Sequence, residues 1–93
     1  MIIWDERKNK KLKAERGISF EEVEEIIKQD KYLDIIENPS RASQDVFVVK
    51  INNYIHLVPF VLDDKSNIIL KTIFPSRKFN KIYGKKDEED KTN

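Results

Sequence analysis

Arg77 and Lys78 follow an apolar run, residues 68–74, that carries one lysine, Lys71, and stops at Pro75. Residues 71–86 hold six basic side chains and no acidic one. A planar guanidinium matches two oxygens of a phosphate, and an ammonium adds a point charge. An apolar strand ending in such cations presents charge to a polyanion from rigid backbone. Histidine is the side-chain type that titrates near neutrality, and His56 is the single copy here. It is therefore the candidate proton carrier, with Tyr54 and Tyr83 as phenols that could donate a proton or stack on a base. Each has a plainer reading. Arg77 could cap or pair near a helix start, and Lys71 could sit on the solvated face of an antiparallel sheet. His56 could be packed and hydrogen-bonded on its strand, and Lys78 and Lys81 could be a solvated charge run.

Composition narrows the chemistry. The chain has 93 residues, 39% hydrophobic and 38% charged, which suits one soluble domain with a small core. There is no cysteine, so disulfides and thiolate catalysis are excluded and a reducing, cytoplasmic home is expected. One histidine cannot build a His-rich metal site, and no carboxylates show ligand spacing, so neither metal nor cofactor is expected. No apolar run is long enough to span a membrane, and no signal-peptide core is present. The net charge of +1 hides strong segregation. Residues 1–16 carry six basic and three acidic side chains, and 19–37 carry seven acidic and two basic. Such blocks create local potentials that the total conceals.

The elements that must position these groups follow from caps and periodicity. Residues 1–4 read as a strand. Asp5 is an N-cap candidate for a mostly solvated helix over 6–15, which Gly17 ends in a left-handed cap. Ser19 and Glu22 have capping-box spacing, and Ile18 and Val23 that of a hydrophobic staple. Phe20, Val23, Ile26 and Ile27 then form a helical stripe, predicting a core helix over 20–30. Trp4 reads as a core anchor. Strands follow at 32–37, 46–51, 54–62 and 68–74. Asn52-Asn53 makes a two-residue hairpin turn, and Pro59 points to an edge position, a bulge or a strand break. Alternation along the last strand puts Ile69, Lys71 and Ile73 on one face and Leu70, Thr72 and Phe74 on the other. A short helix over 77–83 stops at Gly84, and the polar tail, 85–93, is expected to be disordered. The order is β-α-α-β-β-β-β-α. The class is α+β: a small antiparallel sheet carrying an N-terminal helical hairpin, in a single domain over 1–84.

Three stretches carry a family resemblance. Ile3-Trp4-Asp5 with Lys8 is similar to an opening aromatic-Trp-Asp motif and its lysine. Gly17-Ile18-Ser19-Phe20-Glu21-Glu22 matches a glycine-hydrophobic-Ser-Phe-Glu-Glu signature at the right distance from Trp4. Ile73 to Lys78 resembles a strand end running into a small-residue-Arg motif. Together they resemble the BrnT-like toxins of bacterial type II toxin–antitoxin modules, within the wider RelE/ParE group of folds. The chain departs from that pattern at Leu12, Glu15-Arg16 and Phe79-Asn80, and has Tyr83 where the family carries an acid.

The resemblance implies a metal-independent endoribonuclease that cleaves mRNA by 2′-OH attack. Its implied partner is an antitoxin with a DNA-binding segment, through which alone operator DNA is met. Metal-free cleavage needs a base, cations on the crowded phosphate and an acid for the leaving oxygen. The catalytic candidates are Arg77 for the phosphate, Lys71 in support and His56 for proton transfer. The RNA-binding candidates are Lys78, Lys81, Tyr83, Lys13 and Arg16, the last two a second flank on the basic first helix. The rival is a non-catalytic, degenerate toxin-like module that holds an antitoxin and contributes to operator binding. A weaker rival is an interaction domain using the sheet edge near Pro59.

Overall fold

Helix α1, Glu6–Arg16, starts where Asp5 accepts the Arg7 N–H at 2.8 Å and ends at Gly17, whose φ of 65° is left-handed. The computed structural model describes residues 1–92, with backbone alone for 85–92. Helix α2, Phe20–Lys28, opens with the full capping box: the Ser19 N–H donates to Glu22, and the Glu22 N–H donates to Ser19 Oγ. Ile18 and Val23 are both buried, as a staple requires.

Asn9 joins the two helices. It is fully buried, and its Oδ1 accepts the Phe20 N–H at 2.8 Å. That N–H belongs to the first turn of α2 and has no partner within its own helix. The Asn9 amide also donates to Glu21 at 2.6 Å, and Lys13 pairs with the other Glu21 oxygen at 3.2 Å. These bonds hold α1, which buries little apolar surface beyond Leu12, against α2.

The strands are β1, Ile2–Ile3; β2, Asp34–Glu37; β3, Asp45–Ile51; β4, Tyr54–Leu62; β5, Ile68–Leu70; and β6, Phe74–Pro75. Their order is β1-β5-β4-β3-β2, with β6 beside β4. Strands β2 to β5 form an antiparallel meander within the expected sheet, and Asn52 and Asn53 both take positive φ in its hairpin. The sheet as a whole is mixed, because β1 pairs with β5 in parallel.

Both faces are buried. Phe47, Val49, Ile51, Val58, Phe60 and Leu70 pack with Leu12, Phe20 and Val23 of the helical pair. Val46, Val48, Ile55 and Leu57 pack on the opposite side against Phe79 and Tyr83 of α3, Arg77–Thr92. This explains why β3 and β4 read as continuous apolar runs. Helix α3 does not stop at Gly84, whose surroundings leave ordinary room for a Cβ. The tail expected to be disordered, 85–93, lies outside the residues whose side chains are described.

The predicted final strand is two strands, and Pro59 accounts for the break. Strand β4 is central rather than an edge, with β3 on one flank and β5 and β6 on the other. The Lys71 N–H donates to the Pro59 carbonyl at 2.8 Å. Opposed residues of an antiparallel ladder exchange both bonds, but proline has no N–H to return. Register then slips. Phe60 opposes Leu70 whereas Leu57 opposes Phe74, so three steps on β4 face four on its partner. One extra residue reverses the facing of everything beyond it. Leu70 and Ile73 therefore share one core, contrary to simple alternation, and the opposite face receives Lys71 and Phe74.

Two outcomes are expected of the helical clamp. Asn9→Ala should cost about 2 kcal/mol by leaving the Phe20 N–H buried and unpaired, against about 1 kcal/mol for Ser19→Ala, both read from urea unfolding. Donation from Asn9, then the backbone and Lys13, holds the Glu21 carboxyl below its ordinary value of 4.5. Its contribution is therefore present above that value and fades as pH falls through the lowered one. Asn9→Ala should flatten this acid-side loss, and an unchanged acid limb would count against the clamp.

Candidate nucleic-acid interface

Strand β6 hands the chain to α3 at Ser76, whose N–H donates to the Ile55 carbonyl and whose Oγ accepts the Phe79 N–H. The Ile55 N–H donates to Asn80 Oδ1 at 3.0 Å, so the first turn of α3 is tied to β4 from both sides. Arg77 and Lys78 occupy that turn, which contains no acidic residue. A helix start already carries partial positive charge, so two cations there repel it. Arg77 is exposed and has no hydrogen-bond or ion-pair partner among the described residues. It neither caps nor pairs. The result is a fixed electropositive point at the edge of the sheet.

His56 opposes Pro75, two residues before Arg77. It is 7% exposed, and its Nδ1 lies 2.9 Å from the Tyr54 carbonyl. A carbonyl can only accept, so Nδ1 is the donor in this contact, and in the neutral ring the lone pair is on Nε2. The Tyr54 ring meets the imidazole edge-on at 6.1 Å. His56 shares its face of β4 with Val58 and Phe60, the side covered by α1 and α2. At the end of α1, Arg16 Nη1 donates to the Ile73 carbonyl at 3.5 Å on this edge.

Lys71 does not join that group. It is exposed, on the opposite face from His56, and its partner Pro59 is four steps along β4 from Ile55, the partner of Ser76. That spacing is about 13 Å. The register slip shortens this separation by one step, because in the β5 register Ser76 would face Tyr54 instead of Ile55. Lys71 instead lines a concavity of about 360 Å³ with Arg41, Gln44, Thr72 and Phe74. Arg41 was not singled out in the sequence, where 40–45 reads as a polar loop. A second hollow of about 320 Å³ has Glu22 and Glu25 in its walls and is a poor host for a polyanion.

The remaining candidates scatter. Lys78 lies 6.0 Å from the centre of the Phe79 ring, and Lys81 is exposed on α3. Tyr83 donates to Asp34 at 3.0 Å and stacks near Phe79. Burial, and then Asp34, push its phenol above the ordinary value, so it stays protonated and bound to β2. Lys13 is engaged by Glu21. Trp4 stacks on Phe20 at 5.8 Å as a core anchor and donates to Glu6. Among the described residues no three His, Asp or Glu side chains cluster as metal ligands, and no helix is long and apolar enough to cross a membrane.

No family model and no curated protein matches the chain. A solved structure does: the Brucella abortus ribonuclease toxin BrnT, with a TM-score of 0.60 at 21% identity. The match covers 81% of this chain and 94% of that one. Three helices on a mixed sheet, together with this structural match, give this protein a BrnT-like α+β fold.

Proposed function

We propose that the chain is the toxin of a type II toxin–antitoxin module and an endoribonuclease that cleaves mRNA without a metal ion. The observation that carries the reading is Arg77: an unpaired guanidinium on an acid-free helix start, in a chain whose fold matches that of a ribonuclease toxin. The wider RelE/ParE grouping and an antitoxin partner with a DNA-binding segment, which alone meets the operator, belong to the same proposal.

Arg77 holds two oxygens of the scissile phosphate and offsets the charge that builds on it in the transition state. Arg16, across the β6 edge, supports it. His56 Nε2 takes the 2′-OH proton, its tautomer held by the Tyr54 carbonyl. The 2′ oxygen attacks phosphorus in line and the bond to the 5′ oxygen breaks. The leaving oxygen takes its proton from the Tyr54 phenol, which the imidazolium then reprotonates. The products are a 2′,3′-cyclic phosphate and a free 5′-hydroxyl. Lys78 and Lys81 hold flanking phosphates, while Tyr83, already committed to Asp34, positions α3.

Purified protein should cleave single-stranded RNA in the presence of a chelator, leaving cyclic-phosphate ends. Arg77→Ala should lower kcat by roughly 10²–10³ with its melting temperature unchanged, and should relieve growth arrest on induction. Intact RNA after prolonged incubation with folded wild-type protein would sink the enzyme reading. It would leave the rival, a toxin-like module that holds an antitoxin without catalysis.

A further inference from the structure

The concavity on the α3 face is walled by Asn38, Ser40, Arg41, Gln44, Lys71 and Phe74. It exists because of two local features. The register slip opposite Pro59 pushes the chain between β5 and β6 out of the ladder and turns Lys71 and Phe74 to the same side. The 38–44 loop forms the other wall, and it is internally braced. The Asn38 N–H donates to the Gln44 carbonyl, the Gln44 N–H to the Arg41 carbonyl and the Ser40 N–H to Asn38 Oδ1. The Asn38 amide donates to Gln44 Oε1 at 3.3 Å.

This bracing uses up the amide oxygens. Asn38 Oδ1 and Gln44 Oε1 are engaged, while the Gln44 amide nitrogen, the Ser40 and Thr72 hydroxyls, the Arg41 guanidinium and the Lys71 ammonium keep their donors. Neither Arg41 nor Lys71 has an ion-pair partner among the described residues, and no carboxylate lines the hollow. Phe74, 37% exposed, offers a ring at its rim. A space of about 360 Å³ lies in the range of sites that take small ligands. Unneutralised donors around an aromatic surface match a phosphate with a base attached.

We infer that this hollow is a nucleotide subsite for single-stranded RNA, with Arg41 and Lys71 on the phosphate and Phe74 under the base. The inference rests on the ribonuclease reading for its ligand. It moves Lys71 from the reacting phosphate to a neighbouring one, about 13 Å along β4 from Ser76. An RNA strand crossing the β6 edge meets Arg77 and then this hollow. The subsite sets which nucleotides are bound beside the cleaved bond, and it acts on KM.

The test uses a short fluorescein-labelled 2′-O-methyl oligoribonucleotide, which binds but cannot be cleaved. The Arg41→Gln/Lys71→Gln protein should bind it roughly ten-fold more weakly, with a salt slope shallower by about 0.7 per cation removed. Phe74→Ala should weaken binding roughly five-fold or more and leave the slope unchanged. Circular dichroism and melting temperature check that each variant is folded. Wild-type affinity and slope in the folded double variant would overturn the subsite, as would failure of the wild-type protein to bind the probe. The two proposals fail separately. Binding that depends on Arg41 and Lys71, in a protein that cleaves no RNA, keeps the subsite and removes the nuclease. Cleavage whose KM ignores both residues removes the subsite alone.

Discussion

A proline without an N–H, placed in the central strand of the sheet, governs how the cations of this protein are arranged. Pro59 accepts the Lys71 N–H but returns nothing. The neighbouring chain leaves the ladder, gains a residue and rejoins as β6. This single defect sends Ile73 into the core beside Leu70, turns Phe74 to the face of Lys71 and brings Pro75 opposite His56. The basic cluster that is continuous in sequence becomes two stations in space. One lies at the start of α3 and the other beside the 38–44 loop.

The rest of the molecule makes that edge rigid. The sheet is one layer thick and buried on both sides, so β4 cannot shift without disturbing Val58 and Phe60 on one face and Ile55 and Leu57 on the other. Each fully buried side chain of this kind contributes about 1.5–3 kcal/mol, which is large against the net stability of a small domain. Ser76 and Asn80 then tie the first turn of α3 to Ile55. The cations at that turn repel the helix start, and the turn itself contains no acid. An arrangement that is unfavourable in the free protein and relieved by an anion suits a binding surface.

The helical pair serves the same edge from the other side. Asn9 is buried between α1 and α2, and its bond to the Phe20 N–H fixes how the Gly17 end of α1 lies against α2. That end carries Arg16, which reaches the Ile73 carbonyl at the slipped segment. The capping box, the Asn9 clamp and the stacking of Trp4 on Phe20 together hold the helix that brings this guanidinium to Ile73, the residue before β6.

Local chemistry was legible in the residues themselves. Asp5, Gly17, Ser19 with Glu22, and Asn52-Asn53 announce their caps and turn, because each acts through backbone within a few positions of itself. The α+β class and the meander followed from apolar runs bounded by those signals. The two-sided burial of β3 and the parallel pairing of β1 depend on segments distant in sequence. The same is true of the site. Arg77 could be singled out as a cation after a strand, and its lack of a partner became visible only with every neighbour in place. Lys71, Arg41 and Phe74 lie far apart or out of phase along the chain. A one-residue slip, forced by a missing donor on another strand, brings them to one hollow, and periodicity within a single segment cannot encode an event that occurs between two.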